Sequence, residues 1–573
     1  MTLQNREARS SLGGTLVSII VPIYKPRKSD LLDCLRSIVS QSHSNIELLC
    51  IEDCSEDDSV QSLVFDFLAH RIRVHFEKLD GQNGISFTTQ RGLEEASGDF
   101  VLLVDQDDVL SSNAVEALLG GSAGADVIYA DEGKIDQDGY LGHVSFKPCE
   151  SPTLLEQCNY INHPLMIRRA VLLDVGGFNS SFDGAQDHEL LLRLSRFGSR
   201  FSYVPEVLYY WRESPGSVAS NAKNKRWAFE AGKRAIEAHL LATGKTFRVV
   251  ETKHDGRFAL VSAPAPPNCV SVIIPTAGFW GTVRGERTRF IDLCLRSLSL
   301  AASTIKEVVV VYDTHFDHSW LSTLPEISGV EIKKISFDGE FNFSSKVNLG
   351  REHSSAEYLL ILNDDTELIE PKSLDAMVAR ASENGVGAVG AKLLHEDGSI
   401  QHAGQALSPS PHHPFAGYPG TSTGPGDLIP LILEREVSGV TGAALLCRRE
   451  VFDAAGGFNP SFSNNYNDVD FCLRIRSSGK RVIWTPHAVW THFESRSRDA
   501  RVRFEELEQL RRTWPGVFTV DPYLYPNGHQ PVVGLEASLG GRLGDVLRFG
   551  SRLLGPSRKA QAVRLKVKRI LFG

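Results

Sequence analysis

Residues 101–110 read VLLVDQDDVL. A short, nearly all-apolar run is the pattern of a strand buried on both faces, as in a parallel sheet. Here the run empties straight into three aspartates and a glutamine, groups that a core does not accept without partners. The same event recurs at YLLILNDDTEL, residues 358–368.

Working outward, the likeness extends along the chain. VSIIVP (17–22) matches VSVIIP (270–275), DCLRSI (33–38) matches LCLRSL (293–298), and GGFNSSF (176–182) matches GGFNPSF (456–462). The offset drifts from 253 to 280, so insertions separate two copies of one domain of about 230–260 residues. Between them SAPAPPN (262–268) alternates proline with small residues, a stiff connector that no helix or central strand tolerates. The expected organisation is a disordered segment 1–15, a domain 16–250, a linker 251–268, a second domain 269–525 and a basic tail 526–573.

Each copy opens with a β-branched run ending at a proline. An amphipathic segment follows (SDLLDCLRSIVSQ; ERTRFIDLCLRSLSL), then a second apolar run ending in an acid, IELLCIED or KEVVVVYD. Strand, helix, strand is a right-handed crossover unit. The fold class expected is therefore α/β, two tandem Rossmann-like domains with mostly parallel sheets and a helical tail. In open sheets of this kind ligands bind beyond the carboxyl ends of the strands. Pro22, Tyr24, Asp53, Asp105 and Asp107 fall there in the first copy; Pro275, Thr276, Asp313, Asn363 and Asp365 fall there in the second.

If the strand persists through the acids, residues i and i+2 share a face. Asp105 with Asp107, and Asn363 with Asp365, then offer paired oxygen ligands suited to Mg²⁺ or Mn²⁺. The bland alternative is that these acids cap the next helix. Asp53 and Asp313, alone, read as turn acids or as acceptors for a base or ribose. QDHELLLRLSR (186–196) and NDVDFCLRIRS (467–477) both begin a helix with acids, which the helix dipole favours in any case. What the dipole does not account for is an aspartate, Asp187 or Asp468, about 10 residues after each GGFN. His492 is a candidate imidazole ligand, whereas His395, His402, His412 and His413 read as solvated loop residues.

The length, 573 residues, exceeds one ordinary core, and 42% hydrophobic with 23% charged residues is a globular composition. Nine cysteines form no C-x-x-C pair, which argues for reduced cytosolic thiols rather than a zinc knuckle or disulfide frame. The start, MTLQNREARSSLGGT, lacks the apolar stretch of a signal peptide, and no run approaches the roughly 20 apolar residues of a membrane span. Net charge is −9, yet residues 541–573 hold nine Lys or Arg against one Asp, leaving −17 on the remainder. That argues against nucleic-acid binding by the body. LGDVLRFGSRLL and AVRLKVKRILF in the tail are basic and amphipathic, the pattern of a helix that lies on an anionic membrane surface or packs on the body.

Taken in order, these motifs resemble the inverting family 2 glycosyltransferases of the GT-A fold, twice over and across roughly residues 16–525. The second copy, with NDDTEL, GAVGAKLLHEDGSIQHAG, YNDVDFCLRI and THFESRSR, is the closer. The resemblance is strongest to tandem bacterial enzymes of O-antigen and surface-polysaccharide synthesis, rhamnosyltransferase-like members included. It implies that Asp53 and Asp313 contact the nucleotide base, and that Asp105-Gln106-Asp107 and Asn363-Asp364-Asp365 form the D-x-D motif. The first residue of that motif would lean on the ribose, and the last, Asp107 or Asp365, would bind the metal, joined by His492 in the second copy. Asp187 and Asp468 would be the catalytic bases and Asn348 a donor-side residue, for which the first copy carries Gln90. A UDP- or dTDP-linked sugar, Mg²⁺ or Mn²⁺, and a lipid-linked glycan acceptor at the inner face of a bacterial plasma membrane are the partners implied. Rival readings are a nucleotidyltransferase, which would want a glycine-rich basic loop after the first strand, and a non-catalytic glycan-binding scaffold.

Overall fold

A computed structural model describes residues 14–54, 59–68, 72–213, 222–424, 430–493, 502 and 504–524. The basic tail expected at 526–573 and the segment 1–13 lie outside the described residues.

Each half is built on one twisted sheet. In the first the spatial order is Arg73–Leu79, Ile46–Asp53, Val17–Ile23, Phe100–Leu103, Leu165–Arg168, Val127–Ile135, Phe201–Arg212 and Val109–Leu110. In the second it is Glu331–Phe337, Ile305–Asp313, Val270–Thr276, Tyr358–Leu362, Ala444–Arg448, Val386–Leu394, Arg481–His492 and Thr366–Leu368. The first four strands of each are mutually parallel; the fifth and the eighth run against them, and Leu141–Ser145 in the first sheet and Ile400–His402 and Arg435–Glu436 in the second add further antiparallel strands. These are two GT-A-like α/β domains.

The apolar strands are buried on both faces, as their lack of alternation predicted. Val17, Ile19, Val21 and Ile23 meet Leu31, Cys34, Leu35 and Ile38 of the helix Lys28–Val39, while Ile20 joins the opposite core with Leu93, Leu190 and Leu191. The second half repeats this with Val270, Val272 and Ile274 on one side and Ile273 on the other. The helix after the third strand must sit close to the sheet, and a glycine makes room. A Cβ on Gly92 would stand 2.6 Å from Ile20, and one on Gly350 2.4 Å from Ile273.

Two stretches differ from expectation. Where the span expected as linker begins, Arg248–Glu251 and Phe258–Val261 pair as an antiparallel hairpin whose Val249, Phe258 and Leu260 join the core of the first half. The other is the helix that opens the second half. Within ERTRFIDLCLRSLSL the helix begins only at Phe290, because Glu286–Arg289 forms a hairpin with Trp280–Val283 in which Arg287 and Arg289 lie over the Trp280 ring.

The halves share a buried polar interface. Leu433 of the second half sits in the core of the first. The Arg380 guanidinium, fully buried, bonds Glu156 across the boundary at 2.9 Å and Glu383 at 2.6 Å, and it also bonds Glu434. Gln157 and Glu434 exchange side-chain-to-backbone bonds at 2.9 and 3.1 Å. The nine cysteines are all unpaired. Among the described residues no helix is long and apolar enough to cross a membrane.

Candidate active site

The carboxyl ends of the central strands share one edge in each half. Pro22 pairs with Ile51, Asp53 with Leu79, and Ile20 with Leu103 two residues before Asp105. Pro275 pairs with Val311, Asp313 with Phe337, and Ile273 with Ile361. The residues expected at strand ends therefore do gather at one rim of each sheet.

The acids themselves do not continue the strand, so the alternation argument fails. Strand Phe100–Leu103 stops, and the chain turns to feed Val109–Leu110, which runs antiparallel to Phe201–Arg212. Asp108 N–H closes the turn on Asp105 O at 3.2 Å. In the second half the Thr366 hydroxyl donates to Asn363 O at 2.8 Å. Nor do these acids cap helices: the next ones, Ala114–Gly120 and Ser373–Ala381, start at Asn113 and Lys372 without a side-chain cap. Turn geometry, not strand alternation, aims the carboxylates.

In the second half the proposed groups converge. Asp468, in the first turn of the helix Asn467–Ser477, accepts from Gln405 Nε2 at 3.2 Å and Gly442 N at 3.0 Å. The next residue, Ala443, takes the Asn363 N–H on its carbonyl at 3.1 Å. Asp468 and the acid turn are thus held to two adjacent residues. On the other side His492 Nε2 stands 3.1 Å from Asp365 Oδ1 and 3.2 Å from Asn363 Nδ2. Gln401 Oε1 lies 2.6 Å from His492 Nδ1, which places a proton on Nδ1, so that in the neutral imidazole Nε2 carries the lone pair. Burial, then the neighbouring Asp365, pushes the Asp364 carboxyl up to about 7, against a Thr276 hydroxyl bond of 2.5 Å that lowers it.

These residues fit a divalent ion. Two ligand atoms each about 2.1 Å from an octahedral ion stand about 3 Å apart, and Asp365 and His492 offer that separation. Among the described residues no three His, Cys, Asp or Glu side chains gather as a ready-made cage. Asp313 is buried against Lys346, whose Nζ lies 2.9 Å from it and 2.8 Å from Thr276 O.

The first half is built differently in detail. Asp53 accepts from Asn83 N at 2.8 Å and Gly84 N at 2.9 Å, since Thr88 stands where the second half has Lys346. Gln106, not Asp105, locks the strand-end residue Tyr24, bonding its N–H at 2.9 Å and its carbonyl at 3.0 Å. Asp187 accepts from Asn159 at 2.8 Å, and four residues on His163 reaches Asp105 at 3.6 Å. One loop thus touches both the proposed base and the acid turn. Asp107 is raised by burial and by Asp105. Asp108, also raised well above the usual range by burial, accepts from Tyr209 Oη at 2.6 Å.

Glu189 and Asp470, the dipole-favoured acids, pair with Arg193 and Arg474 one turn on at 2.6 and 2.8 Å. Asn348 uses both ends of its amide on the Phe458 backbone, at 2.8 and 2.9 Å, and so braces the GGFN turn. Gln90 keeps half of that brace, accepting from Phe178 N at 3.0 Å. His402 corrects the solvated-loop reading. It is 1% exposed, its Nδ1 lies 2.9 Å from His413 Nδ1, and its Nε2 accepts from Gly404 and Thr441 amides. Gln401, Gln405, Asn159 and His163 went unmarked in the sequence; the twin glutamines of QHAGQ, flanking a histidine and two small residues, were the available signal.

Two tandem GT-A-like domains, each with carboxylates gathered at the switch edge of its sheet, define a nucleotide-binding transferase architecture. The profile of glycosyl transferase family 2 matches residues 18–143 and 271–456, and the chain belongs to that family. It is 34% identical over 534 residues to an uncharacterized protein, y4gI, of Sinorhizobium fredii, covering 90% of this chain and 58% of that one. It is 31% identical over 528 residues to the O-antigen biosynthesis protein RfbC of Myxococcus xanthus, covering 89% and 40% respectively. The chain thus spans about half the length of these relatives. Among solved structures, TarS 1–349 of S. aureus in complex with UDP-GlcNAc aligns at 20% identity and TM-score 0.33, covering 39% of this chain and 66% of that one.

Proposed function

We propose that this protein transfers sugars from UDP- or dTDP-linked donors to a glycan acceptor, lipid-linked during surface-polysaccharide assembly, with inversion at the anomeric carbon. One observation carries the reading: Asp468 and the Asn363–Asp365 turn are tied to the adjacent residues Gly442 and Ala443. A base and a diphosphate-binding turn so joined suit in-line displacement. The likeness to the Myxococcus xanthus O-antigen protein supports a surface polysaccharide as the product.

In this mechanism Asp468 takes the proton of the attacking hydroxyl, its carboxylate oriented by Gln405 and Gly442. Asp187, oriented by Asn159, does the same in the first half. Asp313 and Asp53 bound the nucleoside end of the donor, with Thr276, Pro275, Pro22 and Tyr24 forming the rim. A divalent ion held by Asp365 and His492 would neutralise charge on the departing diphosphate. The two halves form two linkages in succession, and the basic tail, outside the described residues, meets the membrane at the cytoplasmic face.

The test is nucleoside diphosphate release from a panel of nucleotide sugars, with Asp187→Asn, Asp468→Asn and the double variant. Two linkages predict that each single variant loses one product. Release that persists in the double variant sinks the base assignment.

A further inference from the structure

The halves are not equivalent where a metal ligand matters. In the second half Thr366 pairs with His492 and Leu368 with Trp490. In the first, Leu110, the counterpart of Leu368, pairs with Tyr209, and Val109 pairs with Tyr210. Counting along the strand, Trp211 occupies the place of His492. An indole offers an N–H donor and no lone pair. Trp211 packs against the core of its half, with Lys134 Nζ 5.6 Å from its ring.

The next position reinforces the difference. Phe493 packs with Val283, Phe290 and Leu293. Its counterpart is Arg212, 4% exposed, whose Nε donates to the Asp107 carbonyl at 3.0 Å and whose Nη2 reaches Asp33 at 3.3 Å. Asp33 itself stands where the second half has Leu293. An apolar contact beneath the acid turn has become a guanidinium–carboxylate pair, with its fixed cation beside Asp107.

We infer that the two halves hold divalent ions unequally. The C-terminal half supplies an imidazole nitrogen together with a carboxylate oxygen. The N-terminal half has Trp211 at that register and Arg212 beside Asp107, and its imidazole, His163, lies 3.6 Å from Asp105 rather than at the His492 position. This rests on the glycosyl-transfer reading only in its metal step. Imidazole strengthens binding of Mn²⁺ over Mg²⁺, whereas oxygen sites discriminate little. The chain should therefore carry one tight Mn²⁺, at Asp365 and His492, that survives competition by Mg²⁺.

The experiment is pulsed EPR and equilibrium dialysis of Mn²⁺ on the full chain with excess Mg²⁺, with and without UDP as a probe. One tight Mn²⁺ per chain showing imidazole-nitrogen modulation is expected. His492→Gln should abolish the modulation. Gln401→Ala, which removes only the hydrogen bond orienting the ligand, should weaken Mn²⁺ about 10- to 100-fold. Asp107→Asn should change neither. Two equally tight ions, no tight ion, modulation surviving His492→Gln, or loss of the tight ion in Asp107→Asn would each overturn the inference. Nucleoside diphosphate release measured on the same preparations, with and without EDTA, tells separately whether the transferase reading stands.

Discussion

The Asp468 carboxylate accepts the Gly442 N–H at 3.0 Å, one residue from the carbonyl that holds Asn363. As the proposed base, Asp468 depends on its charge rather than its shape. Asp468→Asn keeps the size and one carbonyl acceptor but cannot take a proton. We expect turnover at the C-terminal site to fall by about 10²–10⁴-fold, with donor KM little changed. Steady-state kinetics in an Asp187→Asn background isolates that site, and unchanged turnover would remove Asp468 from the mechanism.

Much of this was legible because the information is local. Strands such as Val17–Ile23 and Val270–Thr276 are apolar at every position, and such runs fit only a sheet covered on both sides. The duplication placed the acid turns and the helices bearing Asp187 and Asp468. What stayed hidden is set by contacts far apart in sequence. Gln401 looks like any polar loop residue until Arg481–His492 lies beside it and His492 needs an acceptor for Nδ1. His402 reads as polar, yet Thr441, 39 residues on, supplies an amide that lets it be buried. Strand alternation through the D-x-D residues failed because the chain had to reverse into a short antiparallel strand, a demand made by Phe201–Arg212 and Arg481–His492 rather than by the acids.

The buried Arg380 predicts that the halves fold as one unit. Its guanidinium is shared by Glu156, Glu383 and Glu434 and lies 4.4 Å from the Phe247 ring. Arg380→Ala leaves Glu434 buried without this cation and Glu156 and Glu383 to Lys245, a loss of about 3–5 kcal/mol. Wild type should unfold in urea in one transition reported alike by probes in either half, and Arg380→Ala should separate or lower it. A variant as stable as wild type would show that the interface contributes nothing.

Acid stability should reveal a carboxylate repeated in both sheets. Glu307 accepts from Ser271 at 2.7 Å and Ser355 at 2.8 Å and also binds Lys333; Glu47 accepts from Ser18 at 2.6 Å and Ser97 at 2.7 Å. Burial alone would raise Glu307, but the Lys333 and serine bonds outweigh it and hold the carboxyl at about 2. A lowered carboxyl stabilises the fold above its unfolded value near 4.3 and loses that contribution as pH falls toward 2. The loss is on the order of 2–3 kcal/mol. Urea midpoints at pH 7 and pH 3 should differ less for Glu307→Gln than for wild type. Equal differences would mean Glu307 is not the group titrating.

Lys346 and Asp313 give the last test, because each half solves the same problem with other atoms. Lys346 Nζ spans Asp313 and the Thr276 carbonyl, so it holds the strand-end acid and the first-strand rim in one geometry. In the first half backbone amides of Asn83 and Gly84 do this for Asp53. Lys346→Met fills the space but strands a buried carboxylate, which should rotate toward water and away from the nucleoside. Donor affinity at the C-terminal half should drop by about tenfold, near 1.4 kcal/mol, while the N-terminal half is untouched. Lys346→Met with Asp313→Asn removes the orphaned charge and should recover the stability, but not the affinity if Asp313 meets the nucleotide. Nucleotide titration by calorimetry on both variants reads the two effects apart, and full affinity in the double variant would show that Asp313 braces the fold and touches no donor.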